Sequence, residues 1–329
     1  MIEPTPLPAA AREAILDWYT VEGRALPFRA TTDPYAILVS EAMAQQTQAA
    51  RAGEAWTLFM DAFPTAASLA AASPADVLRA WRGLGYNRRA LNLWRAARRI
   101  VEVHGGAVPA DLVTLRALPG VGPYTARAVA AIAFGMPVGA VDTNVRRVIG
   151  RIVAGDTAHL GEATLQAAAD AAVPADRPAD WTHAVMDLGA TVCAPRRPDC
   201  SRCPARPWCR FAGRAVAEAG DSSPADVDSS TAKVDSSPAD AVDMHQRGDR
   251  RTAREAPTPF PDTSRWLRGR IIDRLRAATG DGWTVIDGPV GSHDRVAVAA
   301  ALDALARDGL VELDAPTPSG GRRARLPVA

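Results

Sequence analysis

The chain has 329 residues, of which 47% are hydrophobic, and this length is enough for two domains with a buried core. No run approaches the roughly 18 apolar residues of a membrane span, which predicts a soluble protein, and the N-terminal residues do not resemble a secretion signal. We therefore expect a cytoplasmic protein, in a reducing compartment where clustered cysteines favour a metal site over disulfides. The net charge of +1 is low for a nucleic-acid binder, but the ten acidic and six basic residues of the segment 213–263 leave about +5 on the rest of the chain, which permits nucleic-acid binding without arguing for it.

Residues 1–212 are predicted to form an all-α core, because apolar residues recur at i, i+3 and i+4 spacing and no segment alternates long enough for a strand. Ser73 before Pro74 gives one helix a capping residue and a proline at its first position. The spacing predicts helices over residues 11–20, 35–46, 49–63, 74–82, 88–103, 112–118, 123–134 and 144–153.

The rest of the chain divides into two parts. Residues 213–263 form an imperfect Ser-Pro-Asp repeat with ten acidic and six basic residues and little to bury, which predicts a disordered linker. Residues 264–329 are predicted to form a small module with helices over 266–277 and 294–308 and a hairpin pairing 310–313 with 324–328. This order is typical of a winged-helix module, and a small helical cap is the alternative.

Four cysteines, the only ones in the chain, follow the spacing Cys193-x6-Cys200-x2-Cys203-x5-Cys209. Four thiolates this close can surround one Zn²⁺ or one iron–sulfur cluster. Structural zinc usually takes two Cys-x2-Cys pairs and only one is present, so the spacing favours iron–sulfur and leaves zinc open. The same segment, residues 193–210, carries five arginines that can bind a phosphate backbone. These are Arg196, Arg197, Arg202, Arg206 and Arg210.

The segment 118–126, LPGVGPYTA, connects two predicted helices. Gly120 and Gly122 permit a tight turn, and Pro123 opens the second helix. The free N–H groups at that helix start, where Thr125 lies, form an anion site that suits a DNA phosphate. Alone, such a turn is weak evidence for a DNA-binding hairpin, but together with the cysteine spacing it is no longer weak.

From about residue 26 to residue 210 the sequence resembles the helix–hairpin–helix DNA glycosylases with an iron–sulfur loop, and within them the adenine glycosylases of the MutY family. The resemblance implies a 4Fe–4S cluster on the four cysteines, with a structural and DNA-contacting role. It also implies a monomer that acts on double-stranded DNA with a mispaired base. Besides the hairpin and the cysteines, the matching segments are LPFR (26–29), SEAMAQQT (40–47), GLGY (83–86), VDTNVRR (141–147) and MDLG (186–189).

Two carboxylates are candidates for the chemistry, because cleaving an N-glycosidic bond requires an acid for the leaving base and a negative group near the oxocarbenium ion. Glu41 follows the apolar residues 37–39, where burial would raise its pKa and retain a proton. The resemblance implies that Glu41 protonates the adenine. Asp142 precedes a helix and by itself favours a plain N-cap, whereas the resemblance implies that it stabilises the oxocarbenium ion.

Tyr124 stands where endonuclease III-type relatives place the lysine that forms a Schiff base. The only lysine of the chain, Lys233, lies in the predicted linker. We therefore expect a monofunctional glycosylase that leaves the abasic site uncut. The resemblance also implies that Arg29 and Asn144 support the active-site network.

By the same resemblance, Gln46 and Tyr86 would enter the DNA helix to stabilise the flipped-out state. The alternatives are an exposed helix residue for Gln46 and a packed core aromatic for Tyr86. Three residues depart from the family pattern, and they lie near the predicted pocket or near Gln46 and Tyr86. Phe28 replaces the usual Trp, Ala44 the usual Leu, and Asn87 a second Tyr.

The predicted function is removal of adenine mispaired with 8-oxoguanine or guanine. The 66 residues after the predicted linker are too few for the Nudix-like domain with which family members read 8-oxoguanine. The nearest alternative is a thymine or uracil glycosylase for G·T or G·U mispairs, since those relatives share Tyr124, Asp142 and the cysteine loop. A non-catalytic regulator, with a redox-sensing cluster and a DNA-reading winged helix, is the alternative from another class. The presence of both carboxylates argues against the regulator.

Overall fold

The computed structural model describes residues 6–155, 160–213, 258–278, 282–316 and 321–328. The ranges 6–155 and 160–213 contain helices and turns and no strand, so the prediction of an all-α core is confirmed. The helices of this core are α1 (Ala9–Glu22), α2 (Pro34–Ala44), α3 (Ala49–Ala62), α4 (Ala66–Ala71), α5 (Pro74–Ala80), α6 (Arg88–His104), α7 (Leu112–Arg116), α8 (Pro123–Phe134), α9 (Thr143–Ala154), α10 (Glu162–Ala172) and α11 (Pro178–Thr191).

The eight predicted helices correspond to α1–α3 and α5–α9, with their ends shifted by at most two residues. Helices α4, α10 and α11 were missed. Helix α10 has Leu165 as its only large apolar residue, so its spacing carries almost no periodic signal. One shifted end has consequences for the site, since α2 ends at Ala44 and not at Gln46.

The core is built as two lobes with separate apolar clusters. The first lobe packs α2, α3, α5, α6 and α8 around Phe59 and Trp81. The second lobe packs α1, α9 and α11 around Ile15 and Leu188. All four of these side chains are fully buried. Burial of an aliphatic or Phe side chain contributes about 1.5–3 kcal/mol to the free energy of unfolding. Helices α8 and α11 contact each other across the two lobes, and the residues between the lobes therefore come from both.

Side-chain caps fix where several helices begin, because the first N–H groups of a helix have no partner within it. The predicted cap is confirmed, with Ser73 Oγ accepting from the backbone N–H of Asp76 at 3.1 Å. Thr65 and Ser68 form a capping box at the start of α4. The other side-chain caps of the core are Asp33 for α2, Asp111 for α7 and Asp142 for α9.

The C-terminal module consists of α12 (Ser264–Ala277), β1 (Thr284–Ile286), α13 (Arg295–Arg307), β2 (Glu312–Pro316) and β3 (Arg322–Arg325). Both predicted helices and the β2–β3 hairpin are present, and the predicted turn falls largely on residues 317–320, outside the described residues. Strand β1 was not predicted. It pairs antiparallel with β3 and gives the sheet order β1-β3-β2. The winged-helix assignment stays a prediction.

The module packs against the first lobe, and its apolar residues Leu267 and Ile271 belong to the same cluster as that lobe. Arg276, which is buried, donates from Nε to the carbonyl of Leu78 at 2.8 Å and from a terminal nitrogen to Asn87 Oδ1 at 2.8 Å. Asn87, one of the three departures from the family pattern, is thus the partner of a buried arginine that ties the module to the core.

The predicted linker, residues 213–263, lies mostly outside the described residues, at 214–257. Its last residues are described, and Phe260–Asp262 forms a 3-10 turn that contacts α12. Within the described ranges, no helix combines the length and the apolar character needed to cross a membrane.

Candidate active site

Glu41 lies on α2 at the inner edge of the first lobe, and it is 9% exposed. Its Oε2 atom is buried and has no hydrogen-bond partner within the described residues. Burial raises the pKa of Glu41 to about 7, although the Tyr124 hydroxyl and Arg29 act to lower it, and the charge of Asp142 raises it further. A carboxyl group with this pKa is partly protonated at neutral pH and can act as a general acid.

Tyr124 lies on α8, beside Glu41 and at the boundary of the lobes, where its hydroxyl donates to Met186 Sδ of α11 at 3.7 Å. Burial and the charges of Glu41 and Asp142 raise the pKa of Tyr124 well above its usual value. The residue is therefore a neutral phenol that donates a hydrogen bond and offers no amine for a Schiff base.

Asp142 caps α9, as the structural interpretation of the sequence predicted. Its Oδ1 accepts from the backbone N–H of Val145 at 2.7 Å, and its Oδ2 accepts from Asn144 Nδ2 at 2.9 Å. The same carboxylate is close enough to Glu41 and Tyr124 to raise the pKa of both. Capping of α9 and proximity to Glu41 and Tyr124 are therefore compatible, because the cap fixes Asp142 at the edge of the second lobe.

Gly189, in the MDLG segment of α11, allows α9 and α11 to pack closely together at Asn144. A Cβ atom at Gly189 would lie 2.6 Å from Asn144 Cβ and 3.1 Å from its Cα, closer than side chains pack. Asn144 is further held by Arg147, which donates to its Oδ1 at 2.8 Å.

Arg29 is held close to Glu41 by an ion network that sequence reasoning did not find. Asp187, fully buried on α11, accepts two hydrogen bonds of 2.7 Å from Arg29. It also accepts from the backbone N–H of Arg24 at 2.9 Å and from its Nε at 2.7 Å. Arg29 Nε is buried without a partner within the described residues. The signal in the sequence was Asp187 in the motif MDLG, to which no role was assigned.

The hairpin before α8 has the predicted tight turn. Gly120 adopts a φ of +79°, and a Cβ there would lie 2.7 Å from Asn92 Cβ, so this position requires glycine. Gly122 caps α8 with extended backbone and open space on its Cβ side. The Thr125 side chain is buried and accepts from Gln45 Nε2 at 3.3 Å, which leaves the main-chain N–H groups of the helix start for an anion.

Gln46 and Tyr86 lie on two turns, 44–48 and 83–87, which we call the wedge turns. Gln46 lies beyond the end of α2 with a φ of +53° and is exposed, so the prediction that it ends a helix was wrong. Tyr86 has a φ of +44° and is 39% exposed, which does not fit a packed core aromatic. Both line a cleft of about 850 Å³ between the first lobe and the C-terminal module, where the Arg265 guanidinium lies 4.1 Å from the Tyr86 ring centroid.

The four cysteines all line one cavity, next to Leu188 of the second lobe. Each is a free thiol and partly buried. Burial raises the pKa of Cys203 to about 11. Among the described residues, no three Cys, His, Asp or Glu side chains form a ligand group for a single metal ion. The five arginines of the segment are exposed, and Arg202 lies 3.8 Å from Glu22.

The chain is similar in sequence to proteins of known family. The model of the HhH-GPD superfamily of base excision DNA repair proteins matches residues 39–172. The adenine DNA glycosylase of Mycolicibacterium smegmatis is 38% identical over 300 residues, which cover 91% of this chain and 91% of that protein. This chain belongs to the adenine DNA glycosylase family.

Two further relatives show how far the family extends along the chain. The adenine DNA glycosylase of Homo sapiens is 43% identical over 221 residues, 64% of this chain, and the chain spans only 40% of that protein. The structure of a thermostable thymine-DNA glycosylase superposes with a TM-score of 0.58 at 30% identity, over 62% of this chain and 95% of that chain. The glycosylase core is thus shared with enzymes named for different bases.

Of the remaining departures from the family pattern, Phe28 has a visible role. Its ring packs edge-on against Trp56, with ring centroids 6.3 Å apart, next to Arg29. Ala44, the last residue of α2, is partly buried against the first cluster. Nothing in the structure explains why Ala44 replaces a larger side chain.

Proposed function

We propose that the protein hydrolyses the N-glycosidic bond of adenine mispaired with 8-oxoguanine or guanine in duplex DNA. The observation that carries the proposal is Glu41, which is buried with its pKa raised to about 7, and whose Oε2 atom has no hydrogen-bond partner within the described residues. A base that enters the pocket supplies that partner. Asp142 provides the second carboxylate, as the chemistry of glycosidic cleavage requires.

In this mechanism Glu41 donates its proton to a ring nitrogen of adenine, and the bond between the base and C1′ breaks with its electron pair going to the base. The positive charge that develops on the sugar is stabilised by the Asp142 carboxylate, which Asn144 and the start of α9 hold in place. Water then adds its hydroxyl group to C1′ and releases a proton, which leaves an abasic site.

The reaction is proposed to stop at that point. A lyase step requires an amine that forms a Schiff base with the sugar. Tyr124 stands at the corresponding position, and Lys233, the only lysine, belongs to the segment 214–257 outside the described residues. Borohydride treatment is therefore expected to trap no covalent protein–DNA adduct, and the abasic strand is expected to stay intact until alkali is added.

A 4Fe–4S cluster is the cofactor that fits the cysteine loop. Cys193, Cys200, Cys203 and Cys209 line a single cavity, and thiolate is the ligand that such clusters take. Burial of the thiols disfavours free thiolates, whereas metal ligation replaces the thiol protons. The bound cluster would supply a structural cross-link that holds the loop against the second lobe.

The duplex is proposed to lie across the hairpin, the cysteine loop and the cleft beside the wedge turns. The start of α8 provides main-chain N–H groups for one phosphate. Arg196, Arg197 and Arg202 on the exposed loop, and Arg265 in the cleft, provide positive charge for others. A monomeric state and a cytoplasmic location stay predictions.

The decisive test is a base-release assay on duplexes with A·8-oxoguanine, A·G, T·G and U·G pairs, with Glu41→Gln as the control. Release from the two adenine duplexes, lost in the control, is the expected result. Release from T·G or U·G alone would instead establish the thymine or uracil glycosylase, the second candidate that the 30% identical thymine-DNA glycosylase structure favours. Binding without release from any duplex would support the non-catalytic regulator.

A further inference from the structure

Arg89, on the first turn of α6, connects the two wedge turns. Within the described residues, Gln46 and Tyr86 are the only non-glycine residues with a positive φ. Such backbone is uncommon for residues with a side chain, and it persists only where the surrounding structure enforces it. Both wedge turns therefore need a partner that holds them, and the hydrogen bonds of the Arg89 guanidinium supply one.

The first wedge turn is held through the end of α2. One terminal nitrogen of Arg89 donates to the carbonyls of Ala42 at 2.9 Å, Met43 at 3.0 Å and Gln45. The other terminal nitrogen donates to Thr47 Oγ1 at 3.2 Å. The last carbonyls of a helix have no partner within it, so a cation there both caps α2 and fixes the chain on either side of residue 46.

The second wedge turn is held by the same side chain. The terminal nitrogen that binds Thr47 also donates to the carbonyls of Leu84 at 3.1 Å and Gly85 at 3.4 Å. The guanidinium carbon lies 5.6 Å from the ring centroid of Tyr86 and 5.5 Å from that of Trp81, within the range of a cation–π contact. Arg89 thus bonds to both turns at once.

We propose that Arg89 is a positioning residue for base extrusion, which holds Gln46 and Tyr86 together as one rigid unit that enters the DNA stack. This role rests on the proposed function, and it concerns the step before the chemistry. The hydrogen bonds described for Arg89 go to the two turns and to the last carbonyls of α2, and not to the side chains of Glu41, Tyr124 or Asp142. Loss of Arg89 should therefore slow extrusion of a stacked base and leave cleavage of an already unpaired base intact.

The variant that tests this is Arg89→Lys, which keeps the positive charge but cannot donate to two turns in a planar fork. The matched control is Arg98→Lys on the exposed side of α6, where Arg98 pairs with Glu102 at 3.1 Å. Single-turnover base release is measured at saturating enzyme on adenine paired with 8-oxoguanine, and on adenine in an unpaired three-nucleotide bulge. The fluorescence of 2-aminopurine at the target position reports extrusion directly, in a Glu41→Gln background that stops the chemistry.

The expected result is a release rate at least tenfold lower on the paired adenine, a rate within twofold of the parent on the bulged adenine, and a reduced fluorescence rise. An equal loss on both duplexes, or no loss on the paired one, overturns the proposal. Parent protein that releases no adenine from either duplex refutes the proposed function instead. If Arg89→Lys does not fold, Thr47→Val removes one of the Arg89 acceptors and is expected to show the same pattern at smaller size.

Discussion

Glu41 on α2 and Asp187 on α11 are buried carboxyl groups on opposite lobes, and both lie close to Arg29, yet their pKa values are shifted in opposite directions. Glu41 has one oxygen without a partner, and burial raises its pKa to about 7. Asp187 is fully buried, which alone would raise its pKa, but hydrogen bonds from Arg29 and Arg24 hold the pKa below its usual value.

The contrast shows that hydrogen-bond partners, and not burial alone, decide in which direction the pKa of a buried carboxyl group is shifted. Asp187 is a fixed anion that orders Arg29 between the lobes. Glu41 has no such donor on Oε2, and its raised pKa favours the protonated form up to about pH 7. The same functional group thus provides a fixed anion at one position and, in the proposed mechanism, a general acid at the other.

The largest effect is expected from Glu41→Gln, which keeps the shape of the side chain and removes the acid. Base release should fall by about 10²–10⁴-fold, the usual contribution of a positioned acid. The folded state should not become less stable at pH 7, because the variant removes a buried ionisable group without a partner. A thermal melt and single-turnover kinetics on the same preparation measure both quantities. A large loss of stability would show that Glu41 is structural like Asp187.

Asp187→Asn should mainly lower the free energy of unfolding, in contrast to Glu41→Gln, which should mainly lower the rate of base release. Removing one partner of a buried ion pair costs about 3–5 kcal/mol, because Arg29 is left buried without its counter-charge. The matched control is Asp180→Asn on the same helix, where the pair with Arg177 is partly exposed and contributes at most about 1 kcal/mol. Urea denaturation measures both. Equal stabilities of the two variants would contradict the assignment of Asp187 as the anchor of Arg29.

The pH dependence should separate the two carboxylates. Base release is expected to be level below about pH 7 and to fall about tenfold per pH unit above it, as Glu41 loses its proton. Because its folded pKa is raised, the stability contribution of Glu41 is full below pH 4.5 and is lost as the pH rises through about 7. The contribution of Asp187 is present above pH 3.8 and is lost as the pH falls through its lowered pKa. A rate that rises between pH 7 and 9 would exclude Glu41 as the acid.

The smallest effect is expected from Tyr124→Phe, which removes a hydroxyl that lowers the pKa of Glu41. The falling limb of the rate profile should shift to higher pH. The rate at pH 7 should change by no more than about fivefold, the equivalent of one neutral hydrogen bond. A pH-rate profile beside that of the parent detects the shift. A shift to lower pH would mean that Tyr124 does not stabilise the ionised form of Glu41.

Much of this site was predictable from the sequence, because its chemistry depends on residue types at fixed spacing. The family, the all-α core, the position of Glu41 after an apolar stretch and the glycine turn before α8 all follow from local patterns. The Asp142 cap is equally local, since its partner Val145 is three residues away.

Long-range contacts could not be predicted from the sequence. Asp187 lies 163 residues from Arg24, and Arg276 lies 189 residues from Asn87, so no local pattern relates the partners. The left-handed turn at Gln46 was missed for the same reason, because the end of α2 depends on Arg89, 44 residues further along the chain.

The sequence by itself determined which groups the protein has for its chemistry: an acid, a second carboxylate, four thiols and no lysine in the core. The tertiary structure alone decided their states. The pKa values of two buried carboxyl groups are shifted in opposite directions because two arginines reach one of them and leave an oxygen of the other without a donor. That difference is a matter of packing, since hydrogen-bond donors separated along the chain stabilise an anion only where the fold brings them within about 3 Å of it.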